Sequence, residues 1–277
     1  MTIETLKSNF WQEIAEIDNP FMARVCRCAG YDVYGELLNR ARYTEYLFLI
    51  LTGRRPTGEA TRMLEILAIA LANAGPRDPM THAAMSAGVG GSTRAACLMA
   101  ALAVGAGQSG GARELVLAME LFAKARTHLS AWKNVLAQGF HRPYADGWGE
   151  MEHCPGFERH ATRSALPVMQ SLNALANCAT SGMTAWLQGA QFEVEELVGM
   201  PLSLIGVCAA ACLDLELSTG QAEMLFLMLR LPGAAAHALE QEALGWKNFP
   251  FFNDVFKLQG VDDLAAVMHA ASVVEEA

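Results

Sequence analysis

The stretch that decides the fold is Leu229-Arg-Leu-Pro-Gly-Ala-Ala-Ala-His-Ala-Leu-Glu-Gln241. Just upstream, Ser218-Thr-Gly-Gln221 has the spacing of a capping box, in which the Ser and Gln side chains each satisfy a backbone N–H left free at a helix start. The box opens the apolar run Met224 to Leu231. Pro232-Gly233 is expected to end that run, because proline lacks an N–H and clashes with the carbonyl four residues back. A second helix is expected from Ala234 to Leu244, closed by Gly245. Arg230 lies inside the apolar run, where an unpaired buried guanidinium would be costly, so it must find an anion. A neighbouring carboxylate, Glu223 or Glu240, and a ligand carboxylate are the two candidates. His237 and Glu240, three apart, face the same way and can form a simple structural pair.

Outward from this stretch the chain reads as helix after helix with short Gly/Pro punctuation and without strict two-residue alternation, which predicts an all-α fold. Thr57 to Ala74 is typical: Thr57 caps it, Glu59 sits in the first turn, Leu64, Leu67 and Leu71 share one face, and Gly75-Pro76 stops it. The small-residue segments Ala83 to Ala106 and Val207 to Cys212 permit unusually close helix packing, often across a subunit interface. Leu129 to His160 differs, holding Trp132, Gly139, His141, Pro143, Gly147, Trp148, His153, Pro155 and Gly156, a density that suits irregular, ligand-facing structure.

Bulk properties bound the function. A chain of 277 residues with 52% hydrophobic content can bury a large core without metal or disulfide support. Its net charge of -9, from 29 acidic against 20 basic residues, argues against an electrostatic grip on nucleic acid or anionic lipid. Seven cysteines, odd in number and mostly in apolar surroundings, follow no two-pair zinc spacing and read as buried thiols in a reducing cytoplasm. The longest uncharged apolar run, Leu202 to Leu213, is too short to span a membrane, and the amino terminus lacks the pattern of a secretion signal.

Two further constellations carry possible chemistry. Gly107-Gln108-Ser109-Gly110-Gly111 formally matches a G-x-S-x-G nucleophile elbow, but an elbow needs a preceding strand and Ala95 to Val104 reads as helix. The alternative is a Gly-rich turn between helices, whose following helix start at Ala112-Arg113-Glu114 offers free N–H groups to an anion. The loop His153-Cys-Pro-Gly-Phe-Glu-Arg-His160 gathers two histidines and an arginine, suited to acid/base work or to a carbonyl contact, or is simply an exposed polar loop. Glu193, Glu195 and Glu196 read as a solvated helix face.

Taken in order, separate segments resemble the citrate synthase and citryl-CoA lyase family, most closely its lyase branch. Tyr31-Asp-Val-Tyr-Gly and then Glu45-Tyr-Leu-Phe-Leu-Ile-Leu-Thr-Gly-Arg-Arg-Pro look like the family's early turn and apolar helix. Gly75-Pro76 and Gly110-Gly111-Ala112 resemble its paired Gly-rich turns, and Cys154-Pro-Gly-Phe157 its Pro-Gly-Phe-Gly-His loop. Leu229 to Gln241 is similar to its carboxylate-binding arginine followed by Ala-His-x-x-Glu-Gln. The resemblance implies an all-α, citrate synthase-like homodimer, with a large domain from residues 1–112 and 199–277 and a small one from 113–198. It also implies carbon–carbon bond chemistry next to a coenzyme A thioester, the thioester being substrate or product, with no tightly bound cofactor and no metal.

Several positions depart from the pattern. Ser109 and Ala74 replace family histidines, Glu158-Arg159 replaces Gly-His with His160 one place late, and Pro201-Leu-Ser-Leu-Ile-Gly206 offers no acid where the family keeps its aspartate. The resemblance therefore implies a modified site. His160 or His82 would act as base, with Arg159 as electrostatic partner and Ser109 beside them. Arg230, His237 and Gln108 would hold a substrate carboxylate, and Pro155, Gly156 and Phe157 the CoA. The competing expectations are a non-catalytic relative that binds an acyl-CoA or another subunit, and a serine hydrolase using Ser109.

Overall fold

The amino-terminal residues, in which the sequence shows no apolar–polar alternation, nonetheless form a sheet. In a computed structural model describing residues 5–138, 153–179 and 181–249, strands β1 (Thr5–Lys7), β2 (Trp11–Ala15), β3 (Ala23–Cys28) and β4 (Tyr31–Asp32) make an antiparallel meander in sequence order. The pattern is hidden because the strands are short and mostly exposed or half-buried, so neither face demands apolar residues. The β3–β4 hairpin turns at Ala29 and Gly30, both with positive φ (47° and 88°), a two-residue turn made without the usual Asn-Gly signal. Cys28 anchors the sheet by packing with Leu37 and Leu49.

Helices follow in the described residues: α1 (Tyr43–Thr52), α2 (Gly58–Ala72), α3 (Pro79–Val89), α4 (Arg94–Gly105), α5 (Ala112–Ala125), α6 (Leu129–Ala137), α7 (Leu166–Ala176), α8 (Met183–Val198), α9 (Leu204–Asp214) and α10 (Thr219–Leu244). The fold is all-α apart from the small sheet. Thr57 accepts a hydrogen bond from the Ala60 N–H (3.1 Å) at the start of α2, which buries Leu64, Leu67 and Leu71 as its spacing predicts. The capping box of α10 closes, with Gln221 N–H donating to Ser218 Oγ (3.3 Å) and Ser218 N–H to Gln221 Oε1 (2.9 Å).

The two helices expected around Pro232 are one. α10 runs unbroken to Leu244, with buried residues on both sides of the proline: Leu229 and Arg230 before it, Gly233 and Ala234 after. Packing overrides the local breaker. At Gly233 an added Cβ would lie 2.1 Å from the Ala72 carbonyl oxygen, so α10 presses directly on the end of α2. Burial of its flanks against neighbouring helices outweighs the lost backbone bond.

The main core is built around α5 and α9. α9 buries every residue from Gly206 to Cys212 and packs along α5, whose Ala112, Ala118 and Ala125 are buried in the same core. A second cluster joins Met80 and Ala84 of α3, Cys97 and Ala101 of α4, and Ala234 and Ala238 of α10. Here an added Cβ on Gly88 would sit 2.8 Å from the Ala238 carbonyl oxygen. The small-residue segments thus do allow close helix approach within the chain. All seven cysteines are free thiols, five of them buried. Among the described residues no helix is long and apolar enough to cross a membrane, and no cluster of His, Cys, Asp and Glu is arranged to hold a metal. Gly139, His141, Pro143, Gly147 and Trp148, expected in ligand-facing structure, lie outside the described residues, as does 250–277 at the end of the expected large domain.

Candidate functional site

A cleft of about 980 Å³ opens between the second half of α2, α7, the start of α9 and α10. Arg230 lies at its floor, 4% exposed. Its guanidinium forms an ion pair with Asp78, donates to the Gly110 carbonyl (3.2 Å), and stands 4.8 Å from the Phe226 ring centroid. Neither Glu223 nor Glu240 is the partner. They stand seven and ten residues away along one helix, roughly 10 and 15 Å at 1.5 Å rise per residue, and Glu240 instead meets His237 (3.3 Å). Asp78 comes from α3, which packs closely on α10. Asp78 is the N-cap of α3, accepting from the Thr81 N–H (2.9 Å) and Thr81 Oγ1 (3.0 Å), with Pro79 at the first helical position. One carboxylate thus caps a helix and neutralises the buried arginine.

The Gly107–Gly111 segment is a helix-to-helix turn. α4, not a strand, precedes it, so the nucleophile elbow is not formed and Ser109 stands exposed on the turn. At the start of α5 the Arg113 N–H donates to the Gly107 carbonyl (3.2 Å), and the first turn of the helix carries a buried carboxylate. Glu114, 2% exposed, accepts from the Gly110 N–H (2.7 Å), the Gly156 N–H (3.1 Å) and His153 Nε2 (3.2 Å). It ties the 107–111 turn to the 153–160 loop. The hydrogen bond to Glu114 raises the His153 pKa above its ordinary value; burial opposes this, and the charges of Glu114 and Glu158 add to it.

The 153–160 loop is fixed on its other side by the segment before α9. Ser203 N–H donates to the Gly156 carbonyl (3.0 Å), Glu158 N–H donates to the Pro201 carbonyl (2.7 Å), and Phe157 pairs with Leu202 as an antiparallel bridge. Gly156, at φ +86°, lies so close to Gly206 that a Cβ on Gly206 would sit 2.3 Å from the Gly156 oxygen. Only glycine fits at both places.

Sequence reasoning assigned Pro155, Gly156 and Phe157 to CoA. In the structure all three are buried, and Phe157, 1% exposed, packs against Phe122 and Trp132 at ring distances of 6.3 and 6.1 Å. They anchor the loop so that Glu158, Arg159 and His160 emerge exposed, with Glu158 lining the cleft and its Oε1 accepting from the His160 N–H (3.2 Å).

The fold therefore brings together Arg230, Asp78, Gly110 with the Gln108-Ser109 turn beside it, and Glu158. His82 sits one turn beyond Asp78 on α3, its ring 5.2 Å from Phe249. His237 is paired with Glu240 two turns from Arg230, away from the residues that line the cleft. Two residues escaped sequence reasoning. Asp78 carried a signal, Asp-Pro at a helix start, but its role depends on α3 meeting α10. Glu114 carried a weaker one, a single acid on the apolar face of α5 just after a Gly-Gly turn.

Against solved structures, the chain matches citryl-CoA lyase from Hydrogenobacter thermophilus with a TM-score of 0.68 at 17% identity, over 92% of this chain and 93% of that one. The fold is that of citryl-CoA lyase. The match runs along nearly the whole of both chains. The same fold recurs in ATP citrate lyase from Methanothrix soehngenii, solved with citrate and coenzyme A, at TM-score 0.64 and 17% identity; the match covers 92% of this chain but 42% of that one. Citrate synthase from Thermoplasma acidophilum, in complex with carboxymethyl coenzyme A and oxaloacetate, matches at TM-score 0.50 and 17% identity over 72% of this chain and 53% of that chain. No protein-family model and no curated protein sequence matches the chain.

Proposed function

We propose that this protein acts on a coenzyme A thioester, making or cleaving a carbon–carbon bond beside the thioester carbonyl, as a cytoplasmic homodimer with its cleft between a large body (1–112 and 199–277) and a small one (113–198). The observation that carries the reading is the citryl-CoA lyase fold over nearly the whole chain, with a ligand-sized cleft floored by Arg230. In the cleavage direction a base takes the proton of the substrate alcohol, a carbonyl forms, the carbon–carbon bond breaks, and its electron pair passes to the α-carbon of the departing acyl-CoA as an enolate. His160 or His82 would serve as base. Arg159, with Ser109, would stabilise the enolate oxygen. Glu158 lines the cleft nearby, its backbone N–H bonded to the Pro201 carbonyl where the 153–160 loop meets the cleft. Arg230 would orient the acyl group.

A specific observation supports a second reading, a relative that binds acyl-CoA or another subunit without turnover: Asp78 already neutralises Arg230, and Pro201–Gly206 carries no acid. Calorimetry with CoA, acetyl-CoA and citryl-CoA, followed by product analysis, separates the two. Turnover lost in His160→Ala and Arg230→Met variants supports the enzyme; binding without products supports the second reading. Turnover unchanged in both variants overturns the assigned roles.

A further inference from the structure

We propose that the acyl group taken by this cleft is apolar and uncharged, a hydrocarbon chain, rather than a di- or tricarboxylate. That this chain is carried on a CoA thioester rests on the function proposed above; its apolar character rests on the cleft itself. Of the twenty described residues that line the cleft, three are ionisable: Asp78, Glu158 and Arg230. They sum to one net negative charge, so an anionic guest meets an acidic wall. The one cation among them is already engaged, by Asp78, by the Gly110 carbonyl and by the face of Phe226. Asp78 is held in turn by two hydrogen bonds from Thr81, so a guest carboxylate at Arg230 would have to sit beside a fixed carboxylate.

Four neutral polar side chains also line the cleft, Asn73, Gln170, Ser171 and Ser203, and both serines are engaged within the protein. Ser171 Oγ donates to the Pro167 carbonyl (2.8 Å), and Ser203 Oγ accepts from the Gly206 N–H (3.3 Å). Beyond these the described wall is largely hydrocarbon: Ile66 and Ile69 of α2, Val168 and Ala174 of α7, Leu204 and Ile205 of α9. Ile69 is 71% exposed, an apolar side chain at the edge of the cleft that no described residue covers. The volume, about 980 Å³, lies at the upper end of the range of about 300–1,000 Å³ for small-molecule pockets, large enough for an extended chain.

The test is calorimetry on the full chain with acetyl-CoA, octanoyl-CoA, citryl-CoA and the octanoyl thioester of N-acetylcysteamine. Each buried methylene contributes about a fourfold gain in affinity, so burial of half of the six extra methylenes makes octanoyl-CoA bind about 60-fold more tightly than acetyl-CoA. Citryl-CoA is expected to bind no better than acetyl-CoA. Ile69→Glu, on an exposed helical position, is expected to reduce the octanoyl advantage at least tenfold. Citryl-CoA binding more tightly than octanoyl-CoA, or equal affinity for octanoyl- and acetyl-CoA, overturns the inference and leaves the thioester function standing. If no CoA thioester binds, the proposed function falls, and the N-acetylcysteamine thioester decides the inference alone: binding weakened by Ile69→Glu supports it, and absence of binding overturns it.

Discussion

Glu114→Ala tests whether one buried carboxylate holds the site together. Glu114 accepts from two backbone N–H groups, Gly110 (2.7 Å) and Gly156 (3.1 Å), and from His153 (3.2 Å). Hydrogen bonds to a charged group contribute about 1.5–3 kcal/mol each, so the two backbone bonds together amount to about 3–6 kcal/mol. The substitution also relieves the desolvation of a buried carboxylate, which places the expected loss near the lower end, about 3 kcal/mol. Against a typical total of about 5–15 kcal/mol this is severe but measurable. Guanidinium denaturation followed by circular dichroism reads it as a lowered midpoint at unchanged slope. Amide exchange supplies an independent readout: Gly110 and Gly156 should lose protection together although 46 residues separate them. Glu114→Gln keeps one acceptor oxygen and should fall between. A Glu114→Ala protein within about 1 kcal/mol of wild type, with both amides still protected, would refute the reasoning.

Four further outcomes are expected. Because the His153 pKa is raised in the fold, its ion pair contributes fully below its unfolded value of about 6.5, and the contribution is lost as pH rises through the higher folded value; the stability gap between wild type and His153→Gln, measured by denaturation from pH 6 to 9, should shrink with pH. Arg230→Met alone strands Asp78 and should cost about 3–5 kcal/mol, whereas Arg230→Met with Asp78→Asn, which keeps a capping side chain, should recover at least half of that in a double-mutant cycle. Gly206→Ala drives a Cβ to 2.3 Å from the Gly156 oxygen and should destabilise by about 1–3 kcal/mol or more, while Gly58→Ala, with open space at its Cβ, should melt like wild type. Burial pushes the Cys208 thiol up to about 12 and raises Cys154 and Cys212 as well, so a thiol reagent should leave these three unlabelled until the chain unfolds, with the half-buried Cys26 and Cys178 labelled first.

Much of the helical architecture was legible because local chemistry writes helix starts into the sequence. Thr57 and Ser218 each cap the helix their spacing announces, and the apolar face of α2 is the one that is buried. The meander from Thr5 to Asp32 was not legible. Its strands lie largely at the surface, so no face imposes the two-residue period, and the Ala29-Gly30 turn lacks the residue pair that marks such hairpins. Pro232 misled for the opposite reason: a strong local signal was overruled by burial on both sides of it. At the site, Arg230 was recognisable as a buried cation in need of an anion, but the anion was not, because Asp78 is 152 residues away in sequence.

The sequence by itself determined the all-α class, the caps and faces of its best-marked helices, the acidic balance, and the order of segments that resembles the citrate synthase and citryl-CoA lyase family. These are properties of neighbours along the chain, where propensity, periodicity and capping act over a few residues. Tertiary structure alone decided that α10 passes through its proline, that Asp78 meets Arg230, and that Glu114 joins two loops. It also decided that Phe157 turns into the core while Glu158 faces the cleft. Each of these depends on which helices lie side by side, and that is settled by the packing of small residues at close approach rather than by any local rule.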